Sequence, residues 1–323
     1  MARWHFFGAS VQAEVADQHC ITAFEREMGP CTPEDRDHPK ADLRITVQID
    51  DQWQDQRWLK DIQWLWSHHG HRLGRIEEDA IVFLEGIGVA RLWRSQGVIS
   101  VVGTEHLIED VYVLNDVLVT PLLHSALARW GWVALHACAI EQAGVGLLII
   151  AASGGGKSTL ALALLQAGWR LVADDRVLLH TDTNVITAWG TAELPRISPG
   201  TLHFFPDLLR REHLGHTSGG KWEYDPRLLF GDCVIPWVRV QHIVFSQVKP
   251  SAISAVRPSD TMTALKEMLA AVEFGAYGDA RIQAFEVISS LVAQCHVWHV
   301  DSGRDIPQIG RLFARSIMAY STR

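Results

Sequence analysis

Residues 151–159 read Ala-Ala-Ser-Gly-Gly-Gly-Lys-Ser-Thr, which meets the phosphate-loop pattern G-x-x-x-x-G-K-[ST] at every fixed position but the first, where Ala151 stands for glycine. Glycines let a backbone curl until successive N–H groups face one anion, and the helix that follows turns its positive end toward the same point. Ser153, Gly154, Gly155, Gly156, Lys157, Ser158 and Thr159 are therefore expected to hold the phosphates of a nucleoside triphosphate such as ATP. In that arrangement Lys157 bridges the β- and γ-phosphates and the Ser158 hydroxyl ligates Mg2+. Ala151 asks only for a loop entry that tolerates a Cβ. The competing reading is a flexible glycine turn. An apolar strand ahead of the run, Val145–Ile150, and an apolar helix behind it, at 160–165 with a stop at Gly168, are the flanks that phosphate binding requires.

At the end of the next apolar strand, Arg170–Ala173, stand Asp174 and Asp175. Carboxylates beside apolar residues are costly unless a cation or metal meets them, which favours a working role. Neighbours in an extended chain point to opposite faces, so the two are expected to do different work. One meets the acceptor or the γ-phosphate, and the other reaches the metal or holds the loop. If the pair is structural instead, Arg176 is the nearest salt-bridge partner. Lys221, in Gly219-Gly220-Lys221-Trp222, can reach a phosphate from a loop, an exposed lysine being the ordinary alternative. His136, by its type alone, is a satisfied core histidine. His68, His69 and His71 read as a polar turn, and His203, His213 and His216 form no metal-ligand set.

Leu135-His136-Ala137, Leu148-Ile149-Ile150, Ser153-Gly154-Gly155-Gly156-Lys157-Ser158 and Gly168-Trp169-Arg170-Leu171-Val172-Ala173-Asp174-Asp175-Arg176-Val177 resemble, in that order and spacing, the catalytic domain of HPr kinase/phosphorylase. The resemblance covers roughly residues 115–180. It implies a fold similar to phosphoenolpyruvate carboxykinase around the loop, and phosphorylation by ATP and Mg2+ of a serine hydroxyl on a peptide or protein. By the family's pattern the carboxylate matching Asp174 deprotonates the acceptor, and the histidine matching His136 lies in the same catalytic site as Lys157. HPr kinases carry Glu-Ile-Arg-Gly-Leu-Gly after the acid pair, with the glutamate on magnesium; the segment here is Glu193-Leu194-Pro195-Arg196-Ile197-Ser198. The chain thus looks closer to the divergent HPr kinase-related serine kinases, including those that modify lasso peptides, and neither HPr recognition nor the reverse phosphorylase reaction follows. Glu193 is expected to replace the missing magnesium ligand beside Ser158 and Asp175, and Arg196 to neutralise the transferring phosphate. An ordinary loop residue is the alternative for each. Two rival functions share the loop: a kinase for small-molecule hydroxyls, and a nucleotide-responsive regulator that transfers no phosphate and has no need of Asp174.

Patterning indicates the elements that must position these groups. Thr120 can cap a helix with Pro121 at its entry and Gly131 at its exit. A strand at 133–140 and a turn at 142–144 then lead into Val145–Ile150, and the strand, loop, helix, strand order implies an α/β core. Strands at 240–248 and 296–300 and helices at 259–274, 282–292 and 306–318 follow. Upstream, a polar loop at 31–42 precedes strands at Leu43–Ile49, 81–84 and 98–102. The expected architecture is an α/β P-loop kinase domain at 115–323 preceded by a small β-rich mixed domain at 1–114. That first domain shows no chemistry of its own and is expected to support packing or to recognise the acceptor, as an exposed strand edge does for an extended peptide.

The chain has 323 residues, 48% hydrophobic and 20% charged, enough for two domains or for one large one with an appendage, with a real core. A net charge of -8 with scattered Lys and Arg argues against nucleic acid and anionic membranes as partners while leaving room for a local phosphate site. Five cysteines, Cys20, Cys31, Cys138, Cys233 and Cys295, without a CxxC pair indicate neither a disulfide framework nor a zinc knuckle. The apolar patch in Met1–Gly8 is too short for a signal segment, so a cytoplasmic, unexported chain is expected. The thirteen tryptophans read as packed aromatics. Oligomeric state stays open, a homo-oligomer included.

Overall fold

The computed structural model describes residues 2–7, 9–15, 21, 24, 42–68, 70–110, 112–191, 193–206, 214–216, 220–251, 253–272 and 279–318. Cys20, most of the expected 31–42 loop with Cys31, His69 and His213 lie outside the described residues. The chain divides into two compact units, Met1–Trp132 with Glu273–Gln283, and Val133–Val272 with Ala284–Arg323. Among the described residues no helix is long and apolar enough to cross a membrane.

In the first unit an eight-stranded sheet runs in the order Ala2–Phe6, Ala9–Glu14, Leu43–Ile49, Val98–Gly103, Gly88–Trp93, Asp79–Leu84, His71–Ile76, Gln63–His68. Leu43–Ile49 lies parallel to both of its neighbours, and the other pairs are antiparallel. Leu43 and Ile45 are buried with Arg44 exposed between them, the alternation of a strand with one covered face. The sequence reading missed Gln63–His68 and His71–Ile76. They pair as an antiparallel hairpin in which His68, the last residue of one strand, lies opposite His71, the first of the next. Among the described residues no group of three or more His, Cys, Asp or Glu is placed to hold a metal.

The change of character near residue 115 marks a helical segment of this first unit. Val113–Val119 wind in wide π-type turns straight into Thr120–Leu127. Thr120 therefore does not cap the helix: the chain reaches it already helical, and its Oγ1 is buried without a hydrogen-bond partner. Pro121 keeps its place in the first turn, and left-handed Gly131, at φ 91°, ends the segment. The helix packs on Asp79–Leu84 and Gly88–Trp93, and Arg94 donates to Ser125 Oγ at 2.6 Å. Because its apolar face lies on the sheet, the unit continues to Trp132 and does not end at the 114/115 boundary read from patterning.

The second unit is mixed α/β. Its sheet runs in the order Arg170–Ala173, Cys138–Gln142, Val145–Ile150, Trp237–Val248, Val185–Gly190, Val177–Asp182, Trp132–Leu135. His296–Ser302 also pairs with Trp237–Val248, and Ala255–Pro258 pairs with His296–Ser302. Cys138–Gln142 is antiparallel to both Val145–Ile150 and Arg170–Ala173, while Val145–Ile150, Trp237–Val248 and His296–Ser302 are mutually parallel. Four strands thus end at one edge of the sheet, and the loops that leave them emerge together there.

The helix Lys157–Gln166 backs this edge. Its residues 160–165 are all apolar and all buried, against Trp169, Ile309, Phe313 and Ile317. Burial on every side explains why the helix has no polar face, and each of its leucines contributes ~2 kcal/mol. Gly146 interrupts the apolar strand beneath for a steric reason: a Cβ there would lie 2.1 Å from the Arg239 carbonyl oxygen. The strand expected at 133–140 is broken at His136, whose N–H donates to the Ala271 carbonyl at 2.8 Å instead of joining the sheet.

Candidate phosphate-binding site

The loop that leaves Val145–Ile150 is shaped by its glycines. Gly154 and Gly156 are left-handed, at φ 75° and 85°. A Cβ on Gly155 would lie 2.9 Å from both the Ala151 Cβ and the Ala152 oxygen, while the Gly155 N–H donates to that same oxygen at 2.8 Å. The Ala151 methyl is accommodated because position 155 has none. From the neighbouring strand, Ser246 Oγ donates to the Gly155 carbonyl at 3.2 Å and fixes the loop from the side. The helix then opens at Lys157 with no side chain capping it, so the N–H groups of its first turn remain available to an anion. Thr159 Oγ1 stands 2.8 Å from Thr201 Oγ1, which turns that hydroxyl toward the helix Pro199–Phe204.

Lys157 is only 7% exposed, and its ammonium meets both members of the acid pair. Nζ lies 3.0 Å from Asp175 Oδ1 and 3.6 Å from Asp174 Oδ1. Strand alternation predicts opposite faces for the two carboxylates; Asp175 departs from it because its backbone is left-handed, at φ 83°, which brings it round to the same ammonium. Asp175 also lies 3.3 Å from His136 Nδ1 and 3.4 Å from Arg196 NH2. Burial opposes the charge on Asp175, but Lys157, His136 and Arg196 outweigh it and hold its carboxyl well below the usual range. Burial likewise opposes the charge on Lys157, and the two carboxylates outweigh it and raise its pKa.

Asp174 is the more deeply placed, 4% exposed, and neither carboxylate oxygen has a hydrogen-bond partner. Its contact with Lys157, at 3.6 Å, is an ion pair and too long for a hydrogen bond. Two groups that sequence reasoning missed lie within its field. Burial raises the pKa of Cys138 and of Tyr224, and the charge on Asp174 raises both further. Nothing in the local sequence marks Tyr224, because the small sheet of Arg196–Ile197, Trp222–Tyr224 and Leu214–His216 brings it in from a distance.

The structure therefore gathers Lys157, Asp174, Asp175, His136 and Arg196 at the mouth of the glycine loop. Glu193 takes another partner. Arg176 NH1 donates to its Oε1 at 2.7 Å, so the cation expected to serve the acid pair serves Glu193 instead. Lys221 is exposed at the entry to Trp222–Tyr224 and belongs to none of the ion pairs just described.

Helical N–H groups without a side-chain cap, a curled glycine loop and a buried lysine thus stand together, faced by carboxylates. Residues 131–194, which include His136, the loop, the acid pair and Glu193, match the family model described as HPr Serine kinase C-terminal domain. The chain is 40% identical over 90 residues to an HPr kinase/phosphorylase of Lactobacillus acidophilus, covering 28% of this chain and 26% of that protein. It is 56% identical over 45 residues to an HPr kinase/phosphorylase of Treponema pallidum, covering 14% of each. The resemblance read from the sequence is thus borne out on the segment that carries the site, while the chain matches about a quarter or less of the length of these relatives. Among solved structures, the Hpr(Ser) kinase/phosphatase from Coxiella burnetii aligns over 59% of this chain and 99% of that one at 16% identity, with a TM-score of 0.33, too low to bear on the fold.

Proposed function

We propose that this chain is an ATP-dependent serine kinase that transfers the γ-phosphoryl group to a hydroxyl on a peptide or protein, with a phosphoenolpyruvate carboxykinase-like arrangement around the loop. The observation that carries this reading is Asp174: a buried carboxylate whose oxygens accept no hydrogen bond, ion-paired to the lysine of a phosphate loop. A regulator that only sensed nucleotide would have no use for it, and a buried carboxylate that accepts no hydrogen bond is costly enough to need a reason.

Each residue has a distinct role. Residues 153–159 hold the triphosphate through backbone N–H groups, and Lys157 neutralises its terminal phosphates. Asp174 accepts the proton of the acceptor hydroxyl as that oxygen bonds to the γ-phosphorus, and the bond from phosphorus to the β–γ bridging oxygen breaks to release the nucleoside diphosphate. His136 and Arg196 hold Asp175 in its left-handed position. Arg196 then has one carboxylate to leave and a transferring phosphate to meet.

A magnesium ion fits this donor set. Mg2+ typically takes one or two carboxylates and completes its shell with substrate phosphates and water, so a cage of three protein carboxylates is not required. Ser158 and Asp175 would hold it, and Glu193, which here accepts from Arg176, would be the further ligand. The ion's contribution is to neutralise charge on the phosphates.

Two measurements test the reading. MgATP should raise the melting temperature of the full chain, and γ-labelled ATP should pass its label to a serine of an acceptor peptide. Label found only in inorganic phosphate would remove the kinase and leave a hydrolase or a regulator.

A further inference from the structure

His136, Asp174 and Asp175 reach the phosphate loop from one flank of the sheet. Val145–Ile150, which leads into the loop, has Cys138–Gln142 and then Arg170–Ala173 on one flank, and His136, Asp174 and Asp175 come from the ends of those strands. On the other flank are Trp237–Val248 and His296–Ser302. If Lys157 and the acid pair mark the terminal phosphate, a linear triphosphate has to run away from them, over Gly155 and Gly156, toward the ends of that second pair of strands.

What it meets there is a built surface. Ser246 donates to Gly155, and Val248 Cγ2 lies 3.0 Å from where a Cβ on Gly156 would stand, so the end of this strand abuts the loop. Val248 is nonetheless 59% exposed, and Ile253, a few residues on, is 74% exposed. The backbone that presents them is fixed. The Ser254 N–H and Oγ both donate to Asp305 Oδ1, at 2.7 and 2.6 Å, and Ser254 Oγ accepts from the Gly303 N–H at 2.9 Å. The Lys249 N–H donates to the Ser302 carbonyl at 3.0 Å, and the Arg304 N–H to the Ser251 carbonyl at 3.1 Å. Gly303 allows this closeness, because a Cβ there would fall 2.7 Å from the Ile253 carbonyl carbon. Val248, exposed where its strand meets the loop, and Ile253, exposed on the segment hydrogen-bonded to Gly303 and Asp305, thus offer branched apolar surface on this flank of the phosphate site.

We infer that Val248 and Ile253 form the nucleoside-binding ledge of this site, against which the base of the triphosphate packs. The inference rests on the kinase reading for the position of the phosphates and adds the residues that give affinity for a nucleoside over a bare polyphosphate. Apolar contact holds any base without choosing its hydrogen-bonding edge.

Calorimetric titration of the full chain with MgATP and, separately, with magnesium tripolyphosphate tests the ledge. Both side chains are exposed, so Val248→Ser, Ile253→Ser and the double variant should fold as the parent does. The double variant is expected to bind MgATP about tenfold more weakly, the scale of a small apolar contact in a binding pocket, and tripolyphosphate unchanged. Val248→Ile should retain full MgATP affinity. Unchanged MgATP binding in the double variant, or an equal loss for both ligands, overturns the ledge and leaves the phosphate site standing. Failure of the parent to bind either ligand overturns the phosphate-site reading, and the ledge with it.

Discussion

The Lys157 ammonium stands 3.0 Å from Oδ1 of Asp175, a residue whose backbone is left-handed at φ 83°. The lysine charge is thereby balanced from within the protein, by a carboxylate that an incoming phosphate has to displace or share through a metal. Because a non-glycine residue in that conformation costs of order 1–2 kcal/mol, the contact is maintained by its surroundings and not by local preference.

Lys157→Ala is expected to do two things. It removes the rise in melting temperature given by MgATP, since the loop loses its point charge at the phosphates. It also lowers the melting temperature without nucleotide, because Asp174 and Asp175 lose the cation between them; breaking a buried pair on one side costs about 3 kcal/mol. A variant with unaltered melting temperature and intact MgATP stabilisation would show that the lysine serves neither phosphate nor carboxylates.

Asp175 shapes the acid limb of stability. Its folded pKa is held below its unfolded value of about 3.9, so its contribution is fully present above that pH and is lost as pH falls toward the folded value. The difference in urea midpoint between the parent and Asp175→Asn should therefore shrink as pH is lowered from about 5 to about 2. A difference that stays constant across that range would mean the carboxylate is not held by the cations around it.

A second pH effect belongs to the middle of Trp237–Val248 in the same sheet. His242 is buried, accepts a hydrogen bond from Trp298 Nε1 at 3.1 Å and stacks on His296 with ring centroids 5.4 Å apart. Burial, followed by the charge of His296, lowers its pKa from 6.5 to about 4. The unfolded chain then takes up a proton that the folded chain refuses, so stability is full above about pH 6.5 and falls as pH drops toward 4, by up to roughly 3 kcal/mol. Replacing His242 with Gln, which keeps an acceptor and does not titrate, should flatten the urea midpoint over that window. An equally steep decline in His242→Gln would assign the loss to other groups.

The chemistry of the site was more legible in the sequence than its geometry. The run at 151–159 and the acid pair announce themselves because their spacing is local and their flanks are a strand and a helix that periodicity detects. The convergence of Asp174 and Asp175 on one ammonium could not be read that way: alternation is a property of extended backbone, and Asp175 leaves it. Glu193 and Arg176 illustrate the same limit, since proximity in sequence favoured Arg176 for the acid pair while the fold gave it a partner reached through the hairpin of Val177–Asp182 and Val185–Gly190. Thr120 looked like a helix cap because a cap is recognised by residue type, and the wide turns of Val113–Val119 carry no composition signal that distinguishes them from a loop. Ser246, Tyr224 and the Val248–Ile253 ledge depend on strand order, which one sequence does not display.

Everything proposed for the chemistry turns on Asp174 taking the acceptor's proton during phosphoryl transfer. The parent and Asp174→Asn are to be compared at saturating MgATP, following phosphoserine on an acceptor peptide by mass spectrometry and nucleotide affinity by calorimetry on the same preparations. The variant is expected to bind MgATP within a fewfold of the parent and to transfer phosphate more slowly by about 10²-fold or more, the scale of a removed general base. Transfer by Asp174→Asn at the parent's rate, with nucleotide bound equally well, would contradict that role.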